Sequence, residues 1–403
     1  MHILLIHQAF VTTGEAGGTR HAELARWLIE KGHQVTVITS PISYLTGETK
    51  KDIHQNQTEI KDGIHIRYCY TSQGLHKGFF SRIKTFFSFM FSSVREANKV
   101  ENVDIVWGTS PNLFQAFSAW WVAKKKHRKF LLEIRDLWPD FAIELGVLKN
   151  KVLIAASRWL EKFLYTHADQ IIVNSPGFIP HIRQVSRKTA ILIPNSADPD
   201  MFQSADHGAA FRQQYDLQDC FVVMYTGAHG PANDLGTVLN AAEKLTGNQA
   251  IRFVLVGSGK DKDALTELAK QKKLRNIIFV PPMPKEKMAD TIAAADAGLA
   301  ILKSIPLFNT TYPNKVFDFM AAGKPVIYQI DGVIRDVVEK YDAGIFVKPG
   351  DPQDLADKVS EFADNPELCR RMGANGQQAI REDFSREKTA NQLEKTLLDI
   401  IDR

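Results

Sequence analysis

Short, nearly continuous apolar runs alternate with helical stretches along this chain. HILLI near the amino terminus, QIIV from residue 170 and RFVLV from residue 252 are examples. Runs of this kind are typical of strands that are buried on both faces of a parallel sheet. Strands that alternate with helices form right-handed βαβ units. The pattern therefore predicts an α/β protein with doubly wound parallel sheets.

The predicted strands fall into two series. They are Ile3–His7, Gln34–Thr39, Ile64–Tyr70, Val103–Thr109, Phe130–Arg135, Gln170–Asn174 and Ala190–Pro194, followed by Phe221–Thr226, Ile251–Val256, Ile277–Pro281, Gly298–Leu302, Pro325–Gln329 and Ile345–Val347. Turn-forming residues over 193–200 separate the series. We expect two Rossmann-like domains, 1–195 and 196–385, facing across a cleft that holds the ligands. A carboxy-terminal helix, 386–403, is a candidate to pack back on the first domain.

Composition agrees with a globular protein. Of the 403 residues, 44% are hydrophobic and 24% charged, and the net charge of +4 is too small to indicate nucleic-acid binding. Three widely separated cysteines predict reduced thiols and a cytoplasmic protein. The start, MHILLIHQAF, lacks the basic region of a signal peptide. The uncharged stretch 105–123 is interpreted as strand, turn and helix rather than a membrane span, with Ser110 as N-cap and Pro111 opening the helix.

Four stretches carry a resemblance to a known family. They are Gly17-Gly18-Thr19-Arg20-His21 with Gly32–Val37, Ile193-Pro194-Asn195 with Asp198 and Phe202, Phe253–Gly259, and the run PNKVFDFMAAGKPVI over 313–327. In this order they resemble the retaining glycosyltransferases of family 4, which have the two-domain GT-B fold. The run RDLWP at 135–139, together with Pro313-Asn314-Lys315, is similar to the branch that builds bacterial surface polysaccharides, such as N-acetylfucosamine transferases of O-antigen synthesis.

The resemblance implies a metal-independent enzyme that needs no cofactor. It would transfer a sugar of the N-acetylhexosamine type from a nucleotide diphosphate donor linked to UDP to a lipid-linked saccharide at the cytoplasmic face of the membrane. Retaining enzymes of this family are thought to use the donor's own phosphate as the base. No paired carboxylates are then required, and no protein nucleophile is nominated.

Two features are predicted to bind the diphosphate. Gly17 and Gly18 follow the first strand and precede a helix, so their amides can approach an anion; a plain βα turn is the alternative. Lys315 lies in the first turn of the helix that Pro313 opens, where the helix dipole disfavours a cation. A bound anion would explain the lysine, and an ion pair with Asp318 is the alternative. We also expect Lys315 to stabilise the charge that develops on the leaving group.

The same region is predicted to hold the ribose and the sugar. Asp318 corresponds to the second acid of the family's Glu-x7-Glu motif, which accepts hydrogen bonds from ribose hydroxyls. The first acid would fall at Thr310, which is not acidic, so Thr310, Thr311 and Asn314 remain as donor-binding candidates.

The loop after the strand at 221–226 departs from the family. Ala228 and Asn233 stand where an Arg and a Lys commonly hold the diphosphate, which leaves Gly227 and His229 as candidates there. An exposed loop histidine without a role is the alternative for His229. Pro282 and Met283, after the next strands, are expected to line the nucleotide pocket.

Arg135 and Asp136 end a strand, where open α/β sheets place site residues. The family often has His-Asp here, so Arg135 replaces the histidine. Asp136 is predicted to orient the acceptor or to act as a base, and the alternative is that it caps the next helix.

A membrane surface is a further predicted partner. Residues 76–95 combine aromatic residues at helical spacing with Lys and Arg, as in helices that lie on anionic bilayers. A second basic cluster covers 124–129. The alternatives are a helix that faces the core and a solvated helix end.

Two motifs resemble those of other enzymes. Asp198-Pro199-Asp200 matches a metal motif but is expected to be a solvated turn. Gly257-Ser258-Gly259 begins a dinucleotide fingerprint whose third glycine is replaced by Lys262. The incomplete fingerprint leaves a two-domain NAD-dependent dehydrogenase as one alternative function. A non-catalytic subunit that binds sugar nucleotides is the other, because Thr310, Ala228 and Asn233 depart from the family's pattern.

Overall fold

The chain forms two compact units in the computed structural model, which describes residues 1–43, 47–49, 57–74, 78–203, 206 and 208–403. The first unit contains residues 1–12, 18–194 and 389–403, and the second contains residues 13–17 and 195–388. Sheet hydrogen bonding within each unit defines its architecture.

The first unit is built on an eight-stranded sheet with the order β3-β4-β2-β1-β5-β6-β7-β8. The strands are β1 His2–Ile6, β2 Gln34–Thr39, β3 Gln57–Lys61, β4 Ile64–Tyr68, β5 Ile105–Thr109, β6 Lys129–Ile134, β7 Gln170–Val173 and β8 Ala190–Leu192. Every pairing is parallel except β3 with β4. The helices before residue 195 are α1 Arg20–Glu30, α2 Phe79–Asn98, α3 Leu113–Lys126, α4 Asp140–Glu144, α5 Lys151–His167 and α6 Ile179–Ser186.

The second unit is built on a six-stranded parallel sheet with the order β11-β10-β9-β12-β13-β14. Its elements, in chain order, are α7 Ala209–Gln214, β9 Phe221–Thr226, α8 Leu235–Lys244, β10 Ile251–Val256, α9 Lys262–Gln271, β11 Ile277–Val280, α10 Met288–Ala293, β12 Ala297–Ala300, α11 Asn314–Ala321, β13 Val326–Tyr328, α12 Val333–Lys340, β14 Gly344–Phe346, α13 Pro352–Asp364 and α14 Pro366–Asp383. Alternate residues of β9 enter different cores: Met224 packs on one face of the sheet and Tyr225 on the other. The prediction of an α/β fold with two Rossmann-like sheets is confirmed.

The last helix, α15 Arg386–Ile401, returns to the first unit. Leu393, Leu397 and Ile400 are buried in the same core as β1, β2 and α1. His33, the residue before β2, has its Nε2 2.8 Å from Glu394 Oε1. The helix therefore supplies one layer of the first unit's core, although it follows the second unit in sequence.

Three local predictions differ from the structure. β3 was not predicted, because QTEIK alternates polar and apolar residues as an edge strand does, rather than forming a continuous apolar run. Asn112, not Ser110, caps α3, and its side chain accepts the amides of Phe114 and Gln115. The basic cluster 124–129 does not all end a helix, since α3 ends at Lys126 and β6 begins at Lys129.

No helix within the described ranges is both long and apolar enough to cross a bilayer. Of the predicted basic aromatic segment, residues 76 and 77 lie outside the described residues. The remainder, from Phe79, belongs to α2.

Candidate active site

The loops that follow β9 and β10 touch each other at the carboxyl edge of the second sheet. A Cβ at Gly257 would lie 1.9 Å from the carbonyl oxygen of Gly227, so the contact requires glycine at 257. The His229 amide donates to the Ser258 carbonyl over 2.9 Å, and the Asp261 amide donates to the His229 carbonyl over 2.9 Å. These backbone bonds fix the loops around the position of Lys315.

Lys315 lies in the first turn of α11. Its ammonium lies among the loops at the carboxyl edge of the second sheet. Nζ lies 3.6 Å from the centroid of the Tyr225 ring. A Cβ added to Gly227 would be 3.2 Å from the same nitrogen. Among the described residues no carboxylate lies within ion-pair distance of it. Burial lowers the pKa of Lys315 to about 7, as expected for a cation that lacks a countercharge.

His229 is buried, so the alternative of an exposed loop histidine is wrong. Its ring lies near Tyr225 and Phe279, and neither ring nitrogen has a hydrogen-bond partner among the described residues. Burial, followed by the charges of Lys262 and Lys315, lowers the pKa of His229 to about 4. A neutral imidazole with unused polar atoms therefore lies beside the Lys315 ammonium.

Asp318 forms an ion pair that the sequence did not predict. Its Oδ1 accepts a hydrogen bond from Lys285 Nζ over 2.7 Å, and both side chains are largely buried. Lys285 also lies over the Phe202 ring, 4.7 Å from its centroid. The expected alternative pair between Lys315 and Asp318 does not form. Lys285 thus brings a cation beside the predicted ribose carboxylate.

Asp318→Ala should weaken UDP binding by about 10- to 100-fold, because a charge-assisted hydrogen bond contributes about 1.5–3 kcal/mol. Isothermal titration calorimetry measures the effect. Glu361→Ala is the matched control, since Glu361 is also a carboxylate of the second unit but pairs with Lys358 on α13. UDP affinity equal to wild type in Asp318→Ala would refute the ribose assignment.

The remaining donor candidates surround the start of α11. The hydroxyls of Thr310 and Thr311 donate to the carbonyls of Leu307 and Phe308 over 2.6 and 2.7 Å. Their oxygens can still accept hydrogen bonds from sugar hydroxyls. Asn314 is the first residue of α11, and Pro282 and Met283 follow β11.

A cavity of about 160 Å³ lies next to these residues, at the carboxyl ends of β12 and β13. Asn309, Gln329 and Asp331 supply polar side chains to its wall. Lys315 is not part of its lining, so the cavity and the lysine are separate features of the same sheet edge.

The pKa of Lys315 predicts how donor affinity changes with pH. A pKa of about 7 means that the free ammonium loses its proton as pH rises above this value. The affinity for a UDP-sugar should therefore be constant at low pH and fall by up to about tenfold per pH unit above pH 7. A UDP-sugar is preferred to UDP, because the terminal phosphate of UDP itself titrates near pH 6.

Lys315→Arg is the control for this profile, since a guanidinium stays protonated throughout the range. The neighbouring His229 is neutral over the same range. Fluorescence or calorimetric titrations from pH 6 to 9 would measure the UDP-sugar affinity of the wild type and of Lys315→Arg. A wild-type profile as flat as that of the arginine variant would contradict an ammonium that titrates near neutrality.

In the first unit, Arg135 and Asp136 follow β6. The Ser110 hydroxyl fixes this turn, since it accepts the Arg135 amide at 2.8 Å and lies 3.3 Å from the Asp136 carbonyl. The next helix, α4, begins at Asp140 with Pro139 as its N-cap, so Asp136 does not cap it. Burial raises the pKa of Asp136 to about 6, although the charge of Arg135 opposes the rise.

Arg135 Nη1 lies 3.1 Å from His7 Nε2, which must be the acceptor because a guanidinium only donates. Burial, with the charges of His21 and Arg135, holds the pKa of His7 well below its usual range, which agrees with a neutral ring. A Cβ at Gly18 would lie 3.7 Å from Arg135 Nη2. The guanidinium therefore lies near Gly18 of the predicted glycine turn. Gly17 groups with the second unit and Gly18 with the first.

Behind Arg135 lies a buried charged cluster. Glu133 accepts from Arg20 Nε at 2.9 Å and from His21 Nε2 at 2.6 Å. Arg20 also donates to the carbonyls of Ile193 and Pro194. Burial favours a high pKa for Glu133, but the charge and hydrogen bond of His21 and the charge of Arg20 hold it below the usual range. Arg20 and His21 of the family-like motif thus join α1 to the end of β6.

Within the described ranges, no group of three His, Cys, Asp or Glu residues is arranged to hold a metal ion. In the Asp198-Pro199-Asp200 segment, Asp198 Oδ1 accepts the amide of Asp200 over 2.9 Å. Lys262, which replaces the third glycine of the dinucleotide fingerprint, directs Nζ to the Gly257 carbonyl at 2.8 Å.

The fold and these residues define a GT-B glycosyltransferase. Two family models match the chain: "Glycosyl transferase 4-like domain" over residues 16–195 and "Glycosyl transferases group 1" over residues 209–379. The chain belongs to family 4 of the glycosyltransferases, as the sequence motifs predict, and is an enzyme of that class.

Curated relatives agree with the family. The putative colanic acid biosynthesis glycosyl transferase WcaI of Escherichia coli K12 is 26% identical, over 76% of this chain and 77% of its own length. A D-inositol 3-phosphate glycosyltransferase of Streptosporangium roseum is 28% identical, over 88% of this chain and 82% of its own. The N-acetyl-alpha-D-glucosaminyl L-malate synthase of Bacillus anthracis is 24% identical, over 95% and 94%.

Solved structures agree on the fold. Sucrose-phosphate synthase from Thermosynechococcus elongatus has a TM-score of 0.79 at 19% identity and covers 99% of this chain and 98% of its own. Anabaena HepE in complex with UDP-glucose has a TM-score of 0.74 at 17% identity, over 99% and 100%. Both similarities support the GT-B architecture.

Proposed function

We propose that this enzyme transfers an N-acetylhexosamine-type sugar, with retention of configuration, from a UDP-linked donor to a lipid-linked saccharide in surface polysaccharide synthesis. The observation that carries the donor assignment is the Lys315 ammonium, inside the sheet edge beside Gly227 without a carboxylate partner. A diphosphate supplies the missing countercharge. The family relationship, the UDP-glucose in the HepE structure and the colanic acid role in the name of WcaI support the proposal.

The proposed chemistry is electrostatic. As the glycosidic bond breaks, negative charge grows on the diphosphate, and Lys315 with the amides of its helix start stabilises it. Asp318 accepts hydrogen bonds from the ribose. The acceptor hydroxyl gives its proton to the leaving phosphate on the same face of the sugar, so neither a metal nor a protein nucleophile is needed.

Two residues of the first unit complete the proposal. Asp136 has a carboxylate without a hydrogen-bond partner among the described residues, and it orients the acceptor by accepting a hydrogen bond from one of its hydroxyls. Arg135 is held by His7 and contacts the acceptor side.

The acceptor would be reached at the inner face of the cytoplasmic membrane through peripheral contact with anionic lipid. The exposed cations of α2, with Lys124 and Lys125 at the end of α3, support this part of the proposal. Each such cation contributes about 1 kcal/mol near an anionic surface.

A thermal-shift screen with UDP-, GDP- and dTDP-sugars tests the donor, because a ligand that binds only the native state raises its melting temperature. We expect stabilisation by UDP-sugars in the wild type and its loss in Lys315→Met. Stabilisation by another nucleotide class alone would refute the UDP assignment.

Turnover separates the enzyme from a binding subunit, the possibility raised by Ala228 and Asn233. Slow hydrolysis of the stabilising UDP-sugar is expected, and tight binding with no hydrolysis or transfer would identify a non-catalytic subunit. A fluorescence titration with NADH should show no saturable binding, because the chain belongs to a glycosyltransferase family and Lys262 replaces the third glycine of the dinucleotide fingerprint.

A further inference from the structure

Helices α2, α3 and α5 lie side by side in the first unit, with α3 in the middle, and their outer faces are aromatic. Phe91 is 68% exposed, Trp159 64%, Trp121 50% and Phe87 39%. A helix that covers a sheet normally directs polar side chains to the solvent. Large apolar side chains grouped on one outer surface indicate an interaction site.

Ring contacts connect α2 with α3 and α3 with α5. Phe87 of α2 lies 4.7 Å from Phe114 of α3, measured between ring centroids. Phe117 of α3 lies 6.5 Å from Trp121 and 6.1 Å from Phe163 of α5. Phe163 in turn stacks on Trp159 at 5.5 Å. We call the set Phe87, Phe91, Phe117, Trp121, Trp159 and Phe163 the aromatic band.

The outer face of α5 extends the band with smaller apolar residues. Val152, Ala155, Ala156 and Trp159 are all exposed and follow one another at intervals of three, one and three residues. This spacing places them along one stripe of the helix. The stripe cannot serve the core of the first unit, because it faces away from it.

The exposed charged side chains of the three helices are all cationic. The three helices carry the cations Arg82, Lys84, Arg95, Lys124, Lys125, Lys126, Lys151, Arg158 and Lys162. Their only acids are Glu96 and Glu161, and both are buried. Arg158 pairs with Asp140 of the neighbouring α4, whereas Lys84, Lys124, Lys125 and Lys162 are exposed.

We propose that the aromatic band inserts into the interfacial region of an anionic phospholipid leaflet, with Trp121 and Trp159 as its central anchors. Tryptophan prefers the level of the lipid headgroups, where its ring is buried and its N–H remains hydrated. Exposed lysines beside the band attract the anionic headgroups. This inference rests on the proposed function, which already includes electrostatic contact with anionic lipid. It adds the insertion of aromatic side chains below the headgroups and the participation of α5.

The same charges favour lipid over another copy of this chain. A second copy would bring an equally cationic face to the band, and like charges repel across an interface. An anionic leaflet offers the opposite charge and an apolar layer in one surface.

The test is partition of the full-length protein into vesicles, measured by co-flotation. Wild-type protein should bind vesicles of phosphatidylglycerol and phosphatidylethanolamine and bind vesicles of phosphatidylcholine far less. The double variant Trp121→Ser/Trp159→Ser should lose at least about tenfold in partition, because its apolar surface no longer inserts. Lys124→Gln/Lys125→Gln should lose roughly 25-fold, about fivefold for each charge.

Two variants serve as matched controls. Ile60→Ser removes an apolar side chain of β3 that is also 68% exposed but lies outside the band. Lys244→Gln/Lys270→Gln removes two exposed cations of the second unit. Both should partition as the wild type does.

Depth is measured by quenching of tryptophan fluorescence with lipids brominated in the upper acyl chain. Wild-type fluorescence should be quenched, and Trp121→Phe/Trp159→Phe should lose the quenching while it keeps most of the binding. This conservative variant keeps the inference testable if the serine variant does not fold.

UDP-sugar thermal shifts on every variant separate this inference from the proposed function. If Trp121→Ser/Trp159→Ser shows wild-type thermal shifts with UDP-sugars and wild-type vesicle binding, the aromatic band does not insert into the membrane, whereas the proposed function still stands. Equal binding to vesicles of phosphatidylcholine and to anionic vesicles would refute the requirement for anionic lipid. A lipid-free dimer that Trp159→Ser converts to monomers would assign the band to a second copy instead.

Discussion

Lys315→Met is expected to lower kcat/KM for the sugar nucleotide by about 100-fold, as for loss of one group that stabilises charge in the transition state. Methionine keeps most of the apolar stem that packs near Tyr225 but removes the ammonium. Steady-state assays with the UDP-sugar that gives the largest thermal shift would measure the change. The loss should appear in both KM and kcat, because Lys315 contacts the diphosphate of the bound donor and the negative charge on that diphosphate grows further as the bond breaks.

Lys340→Met is the control, since Lys340 is an exposed lysine at the end of α12. It should retain wild-type kcat/KM. Wild-type turnover by a folded Lys315→Met protein would remove Lys315 from the proposed mechanism.

Arg20→Met is expected to destabilise the first unit by about 3–5 kcal/mol, because it leaves the buried Glu133 carboxylate without its guanidinium partner. The carbonyls of Ile193 and Pro194 lose a donor as well. All six tryptophans lie in the first unit, so urea unfolding followed by tryptophan fluorescence reports this unit alone.

The control is Arg335→Met, which removes a half-exposed guanidinium that pairs with Glu339 in the second unit. Exposed pairs contribute little to stability, and the tryptophan signal should not change. If the urea midpoint of Arg20→Met equals that of the wild type, the Glu133 carboxylate does not need Arg20. The buried charged cluster then does not stabilise the first unit as proposed.

The sequence predicts the parallel sheets well because their strands are short apolar runs. The predicted bounds of β2, β9 and β10 equal the observed ones. β3 was missed because an antiparallel edge strand needs no continuous apolar run. A helix cap also depends on nearby residues, but Ser110 and Asn112 are both suitable N-caps for α3. The structure shows that Asn112 caps the helix, whereas the Ser110 hydroxyl binds the turn after β6.

The candidate site is less predictable, because its partners are far apart in sequence. The Lys285–Asp318 pair joins residues 33 positions apart, and no spacing rule relates them. The burial of His229 depends on Gly257 and Gly259, which lie on another loop. The aromatic band is similar, since its side chains come from three helices that are separate in sequence, and the fold brings α5 beside α3.

The position of α15 has a consequence for synthesis of the protein on the ribosome. Residues 389–401 fill the core of the first unit, but about two hundred residues of the second unit are translated before them. The nascent first unit therefore exposes the apolar residues that α15 later covers until the second unit has been translated. Domains usually fold as they emerge, so here the amino-terminal one should mature last, and chaperones that bind apolar surface should meet it first.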